Sequence, residues 1–388
     1  MSVIKVLYFI EGTGGGAITH TLILAKYLRE LGIESLIVFF LNGPSVNMAE
    51  QMGIPFKLLL WRFPLDPKLI FGLRDIIIKE GISIIHTQTI TANFYARIVA
   101  IIARRPIIFT TIHSFVIDEL KGTMGVGLKD WLRYKRDVLT SGLVDQFIAV
   151  SPKLKKRLVE NHFPSHKIEV IPNGIQLPCC NSDTSRLLRS EFGIREGEIV
   201  IGTVGRLVPL KNHILFLRGA KEILTKMPDI KFMIVGDGVL KDSLKAASKE
   251  LGIEDRVIFT GWRNDVVSIM SIMDIYALCS LTEAHNISVM EALSLEKPVI
   301  GSDIDGIRES VIHEQTGILF PTDDLQSFVT AVLRLIYNPS LRKKMGSKGR
   351  QFIEGHYSIK EVAAKTAKLY SQIYYKKLPF HAIHAEGI

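Results

Sequence analysis

Two glutamates, Glu283 and Glu291, stand with seven residues between them in the stretch 281–309, LTEAHNISVMEALSLEKPVIGSDIDGIRE. Glu283 lies in a polar segment that follows an apolar, strand-like run at 274–278. From Ser288 onward, Val289, Ala292, Leu293 and Leu295 recur at helical spacing, which predicts a helix beginning there. One carboxylate would then stand at the mouth of the helix and the other one turn inside it. The backbone N–H groups of Ile287 to Met290 would lack intrahelical partners, and the helix dipole favours anions at that spot. Such a loop is a phosphate seat flanked by two acceptor side chains. A second reading stands beside this one. Ser288-Val-Met-Glu291 also spells a capping box, in which Ser and Glu satisfy backbone donors at the helix start. Glu291 would then be structural.

A second constellation lies at Gly205-Arg-Leu-Val-Pro-Leu-Lys-Asn212, after the predicted strand Ile199–Val204. Gly205 frees the strand end, and Arg206 and Lys211 can converge on the space beyond it. Two fixed cations beside a helix N-terminus make a diphosphate clamp.

The elements that must position these residues alternate along the whole chain. Residues 5–11 read as a buried strand, 12–16 (GTGGG) as a tight turn, and Ile18, Leu22, Ala25 and Leu28 as one helical face. Gly12, Gly14 and Ala17 satisfy the dinucleotide pattern G-x-G-x-x-A in its usual strand–helix context. That pattern also requires an acid at the end of the second strand, and the run 35–41 ends in Phe40, Leu41 and Asn42. The NAD reading therefore fails. The same glycines suit a loop whose backbone must approach a ligand closely. Runs at 82–86 and 107–113 end in His86 and His113, with a helical stretch at 92–103 between them, and 147–150 is a further strand. This is the βαβ rhythm of a parallel, doubly wound sheet, where ligands sit outside the carboxyl ends of the strands. His86 and His113 both fall at that edge; a satisfied structural histidine is the reading favoured for His86, and a functional one for His113. The stretch 116–136 carries Trp131, Arg133, Tyr134, Lys135 and Arg136. It reads as a basic helix with interleaved aromatics suited to an anionic surface, or as a solvated face with Trp131 and Leu132 in the core beneath; the latter is favoured.

Taken together, Glu283 to Asp303, Gly306-Ile-Arg-Glu309 and Thr316-Gly-Ile-Leu-Phe-Pro321 resemble the donor half of the family 4 retaining glycosyltransferases. The Gly205-Arg206-Leu207 and Lys211-Asn212 residues, Val235-Gly236-Asp237-Gly238 and Ile171-Pro-Asn-Gly174 resemble further motifs of that family. Ala284, His285 and Asp305 depart from it, since the family usually has Gly and an aromatic at the first two and Gly at the third. The resemblance implies an α/β protein of the GT-B fold, two Rossmann-like doubly wound domains facing across a cleft. The expected boundaries are 1–175 for an acceptor-side domain and 176–358 for the donor domain. A last helix within 359–388 would cross back to the first domain before a tail. The resemblance also implies the roles. Glu283 would hold sugar hydroxyls, Glu291 the ribose, and Arg206 with Lys211 the departing diphosphate. Gly15 and Gly16 would face the donor phosphates, and His113 would stand near the transferred sugar. Gly205, Asn286, Ile287, Ser288, Gly236 and Trp262 would line the nucleotide, with the base held near 257–262. Asn173-Gly174, at the linker, is expected to supply left-handed backbone. Asp303-Ile-Asp305 spells the metal motif of the unrelated GT-A enzymes. With Arg206 and Lys211 available, no metal is expected, and no cofactor beyond a UDP- or GDP-linked sugar.

Composition bounds the rest. A chain of 388 residues with 47% hydrophobic and 22% charged residues fits two globular domains. Cys179, Cys180 and Cys279 make no disulfide framework, which suits a reducing cytoplasm. No apolar run approaches the ~20 residues that cross a bilayer, and no signal-peptide pattern precedes the first strand. A soluble or peripheral protein is expected. Residues 1–180 hold 21 Lys and Arg against 14 Asp and Glu, which is most of the net +9. That surplus suits an anionic membrane face, a phosphorylated acceptor, or plain solubility; no nucleic-acid module is present. The function expected is transfer of a sugar from a nucleotide diphosphate to a carbohydrate or lipid-linked hydroxyl, with retention, in polysaccharide or glycolipid assembly. The alternatives are a sugar-nucleotide epimerase on the same fold and a non-catalytic sugar-nucleotide-binding protein.

Overall fold

The computed structural model describes residues 3–13, 15–63, 66–103, 106–113, 128–178, 182–283 and 286–377. Gly14, Ala284, His285, Cys179, Cys180 and the first part of the 116–136 stretch lie outside the described residues. The described chain divides into two compact units, one built from residues up to 113, 128–176 and 359–377, the other from 177–358.

The first unit holds seven parallel strands: β1 Lys5–Ile10, β2 Glu34–Phe39, β3 Phe56–Leu58, β4 Ile84–Thr87, β5 Ile107–Ile112, β6 Gln146–Ala149 and β7 Ile168–Val170. Their order is β3-β2-β1-β4-β5-β6-β7. Alternation within β1 shows why the run is apolar throughout. Val6, Tyr8 and Ile10 join a core with the helix Gly16–Glu30. Leu7 and Phe9 point the other way, into a core with the helices Pro67–Lys79 and Ile90–Ile102. A strand covered on both faces cannot alternate with polar residues.

This unit is completed by the last helix among the described residues, Ile359–Lys377. Ile359 N–H donates to the Ile175 carbonyl at 3.0 Å. Deeper in, Tyr370 Oη meets Tyr8 Oη at 2.9 Å and bonds His86 Nδ1, while His86 Nε2 meets Thr111 Oγ1 at 2.7 Å. His86 is fully buried in this network, and burial lowers its pKa to about 3. It is a neutral, satisfied core residue, the structural role favoured for it from sequence.

Two further expectations change. Neither Asn173 nor Gly174 has positive φ. Glycine is needed at 174 for space, because a Cβ there would lie 2.9 Å from Ile359 Cα and from Val362 Cγ2. Trp131 and Leu132, in the helix Leu128–Leu139, are 47% and 52% exposed instead of forming core. Tyr134 and Val138 supply the inner face in their place.

The second unit holds six parallel strands: β8 Ile199–Val204, β9 Ile230–Val235, β10 Val257–Gly261, β11 Ile275–Leu278, β12 Val299–Ser302 and β13 Gly317–Phe320. The order β10-β9-β8-β11-β12-β13 repeats the topology of the first sheet.

Candidate functional site

Each sheet reverses its strand order once, between β1 and β4 in the first unit and between β8 and β11 in the second. At such a point the loops leaving the two carboxyl ends diverge and leave a crevice. Glu11, Gly15 and Gly16 follow β1 at the first of these places, and Arg206, Lys211 and Glu283 follow β8 and β11 at the second.

In the second unit, Gly205 and Arg206 leave β8, and Ser280 and Glu283 leave β11. Lys211 Nζ forms an ion pair with Glu283 Oε1, and Ser280 Oγ donates to the same oxygen at 2.7 Å. Leu281 N–H donates to the Leu210 carbonyl at 2.8 Å, which ties the two loops together. The pair is only 17% and 13% exposed, so water screens it weakly. Arg206 is exposed, and among the described residues no carboxylate pairs with it. Two glycines let the loops stack. Gly236 has φ +138°, and a Cβ there would fall 2.0 Å from the Gly205 carbonyl oxygen. A Cβ on Gly306 would fall 2.3 Å from the Glu283 carbonyl oxygen. Asp303 is taken up by Arg308 through contacts of 2.5 and 2.7 Å, and Asp305 lies 3.8 Å from the same guanidinium.

The helix spans Ile287–Ser294, and its N-cap is Asn286, whose side chain accepts from Val289 N–H at 3.2 Å. Ser288 lies in the first turn, where its Oγ donates to Asn286 Oδ1 at 2.6 Å and meets Tyr276 Oη at 2.6 Å. The capping-box reading is corrected. Ser288 is not the cap, so Glu291 is too far along the helix to close a box. The phosphate seat also narrows. Val289 N–H goes to the cap and Met290 N–H to the Asn286 carbonyl at 3.4 Å. Among the described residues only the Ile287 and Ser288 amides of this turn are left over. The Glu291 carboxyl has neither a hydrogen bond nor an ion pair among them. The residue keeps some surface, yet protein crowds its carboxyl, and burial raises its pKa to about 7. Burial first, and then the charges of Glu283 and Glu291, hold the Tyr276 hydroxyl proton tightly. Trp262, just beyond β10, is 56% exposed and offers an indole face.

In the first unit the corresponding edge is polar. Gly15, with φ +116°, caps the helix that Gly16 opens. Glu11 follows β1, bonded by the Thr89 side chain beyond β4; burial raises its pKa. His113 Nε2 meets Gln88 Oε1 at 2.8 Å, while neither His113 Nδ1 nor Asn173 Oδ1 completes a hydrogen bond. Burial lowers the His113 pKa to about 4, with the Asn173 side chain pulling the other way, so the imidazole is neutral near pH 7. His20 packs edge-on against His113 at 6.3 Å between centroids, and its Nε2 accepts from Gly174 N–H at 3.0 Å. Sequence reasoning missed Ser280, Tyr276, Glu11 and His20. Only Glu11 carried a signal, a carboxylate directly before the glycine loop.

The chain as a whole resembles known proteins. Residues 185–352 match the family model for glycosyl transferases group 1, and residues 14–177 match that for Glycosyltransferase Family 4. The UDP-Gal:alpha-D-GlcNAc-diphosphoundecaprenol alpha-1,3-galactosyltransferase of Escherichia coli is 30% identical over 305 residues, covering 76% of this chain and 77% of the relative. The N-acetyl-alpha-D-glucosaminyl L-malate synthase of Bacillus anthracis is 26% identical over 377 residues, with 94% of each covered. Among solved structures, Anabaena HepE in complex with UDP-glucose superposes with a TM-score of 0.84 at 21% identity, covering 95% of this chain and all of that one. Sucrose-phosphate synthase from Thermosynechococcus elongatus gives 0.78 at 18% identity, covering 96% of this chain. The shared architecture is the GT-B fold.

Proposed function

This chain belongs to the glycosyl transferases of group 1, and on that premise we propose that it moves a sugar from a nucleotide diphosphate-sugar to an acceptor hydroxyl, with retention at the anomeric carbon. The observation that carries the reading is the meeting of Lys211 and Glu283 at the strand reversal of the second sheet, from loops 72 positions apart. There the ammonium and the free Arg206 guanidinium face the departing diphosphate, where stabilising developing charge counts most. Glu283, already oriented by Ser280 and Lys211, accepts hydroxyls of the sugar. Glu291, with no protein partner, accepts from the ribose. Ser280 and Lys211 engage the Glu283 carboxylate, which favours departure and attack on one face, the leaving phosphate assisting the acceptor, over a covalent intermediate.

The names of the relatives support the donor and acceptor classes. The Escherichia coli relative is named for a UDP-sugar and a lipid-diphosphate acceptor, and HepE was solved with UDP-glucose. We infer a UDP- or GDP-linked donor and a role in polysaccharide or glycolipid assembly. One observation favours the epimerase alternative: Glu11 puts a carboxyl of raised pKa at the ligand edge of the first unit.

Incubation with a panel of UDP- and GDP-sugars separates the readings. Slow hydrolysis of one donor to the nucleotide diphosphate and a sugar of unchanged anomeric form is expected, and it should persist in excess EDTA. Interconversion of the sugar without release of diphosphate means an epimerase. Binding without turnover of any donor means a non-catalytic protein.

A further inference from the structure

We propose that the outward face of the helix Leu128–Leu139, with the adjoining basic helix Pro152–Glu160, is a docking surface for an anionic lipid bilayer. The two helices lie over one core. Tyr134 and Val138 press on the core that holds Leu154 and Leu158, and Tyr134 Oη donates to Asn161 Oδ1 at 3.0 Å. Asp137 points inward too, paired at 2.8 Å with the buried Arg97. What remains outside is unlike an ordinary solvated face. Trp131, Leu132 and Leu139 are 47%, 52% and 82% exposed, and Leu143, one turn further on, is 46% exposed. Lys135 sits between Leu132 and Leu139 in helical register, with its ammonium 5.5 Å from the centre of the Trp131 ring.

Charge decides the occupant. The two helices carry eight Lys and Arg against three Asp and Glu, and one of those three, Asp137, is already spent on Arg97. A basic face of this kind repels a second copy of itself. A nucleic acid would match the cations and stack on Trp131 but would leave Leu132 and Leu139 in water. A bilayer answers both features. Aliphatic and indole groups enter the boundary below the headgroups, and lysine stems extend along them to anionic phosphates. No helix among the described residues is long and apolar enough to cross a membrane, so contact would be on its surface.

The test is co-sedimentation of the full chain with vesicles of phosphatidylcholine alone or mixed with phosphatidylglycerol. Binding is expected only to the mixed vesicles, weakening at least tenfold at high salt. The triple variant Trp131→Ser, Leu132→Ser, Leu139→Ser should lose at least tenfold in binding while melting at the wild-type temperature. Should that variant melt early, Lys135→Glu with Lys156→Glu at two exposed cations must give the same loss. Equal binding to neutral vesicles, full retention in the variants, or no wild-type binding overturns the proposal. So does a wild-type dimer that the triple variant dissociates, or tighter binding to duplex RNA than to the mixed vesicles.

Discussion

Glu291 shows how one carboxyl can serve binding at the cost of stability. An ordinary glutamate titrates near 4.5, and here burial moves the value to about 7. Between those values the folded chain holds a proton that the unfolded chain releases. Stability therefore falls as pH rises through that window, and the loss is complete above the folded value. Glu291→Gln removes the buried charge, so it should melt a few degrees higher than wild type at pH 8 and nearly equally at pH 4.5. The same variant should bind the nucleotide diphosphate about tenfold more weakly at pH 8, having lost a charge-assisted acceptor. Calorimetric scans and titrations at both pH values check this; a variant that is no more stable and binds as wild type would return Glu291 to a structural role. Lys211→Ala tests the clamp. It should lower turnover by a factor of about 100 to 1000, the effect of losing one preorganised charge contact. Steady-state rates close to wild type in a variant that melts normally would remove Lys211 from the mechanism. Both glutamates and both cations were legible as residue types at meaningful spacing. That Lys211 pairs with Glu283 was not, because only the β8–β11 adjacency brings their loops together.

At the scale of elements, the helix Ile287–Ser294 turns on its cap. Ser288 and Asn286 are comparable N-cap residues by local preference. Tyr276, reaching across from β11, takes the Ser288 hydroxyl and so leaves the cap to Asn286. No local pattern contains that contact. Asn286→Ala should cost about 1 kcal/mol of stability and loosen the turn that offers the Ile287 and Ser288 amides, so nucleotide binding should weaken along with it. Thermal melting and titration together check this; an unchanged melt would mean that water or a neighbour replaces the cap. Other elements were readable because their cause is local. The strand Ile199–Val204 and the helix Leu325–Tyr337 begin and end where the apolar pattern begins and ends. The helix Leu128–Leu139 was not readable to the same degree, since it has apolar residues on two sides and the pattern cannot say which side the core takes. Gly174 misled for another reason: a glycine needed for space looks, in sequence, like one needed for a turn.

At the scale of the molecule, each unit carries its own sheet, and the first is finished by a helix from the far end of the chain. Tyr370 ties that helix to Tyr8 and His86 inside the core. Tyr370→Phe leaves both buried partners short of a bond and should cost about 1–3 kcal/mol. A chain ended at Ser358 should lose the calorimetric transition of the first unit and keep that of the second. Two intact transitions in that shortened chain would show the helix to be an accessory. The dependence also sets an order for synthesis. Domains generally fold as units while the chain emerges. Here the strands of the first unit lack part of their core until residues 359–377 have left the ribosome, by which time residues 177–358 have already been available to fold. The unit whose strands are made before those of the other is completed after them.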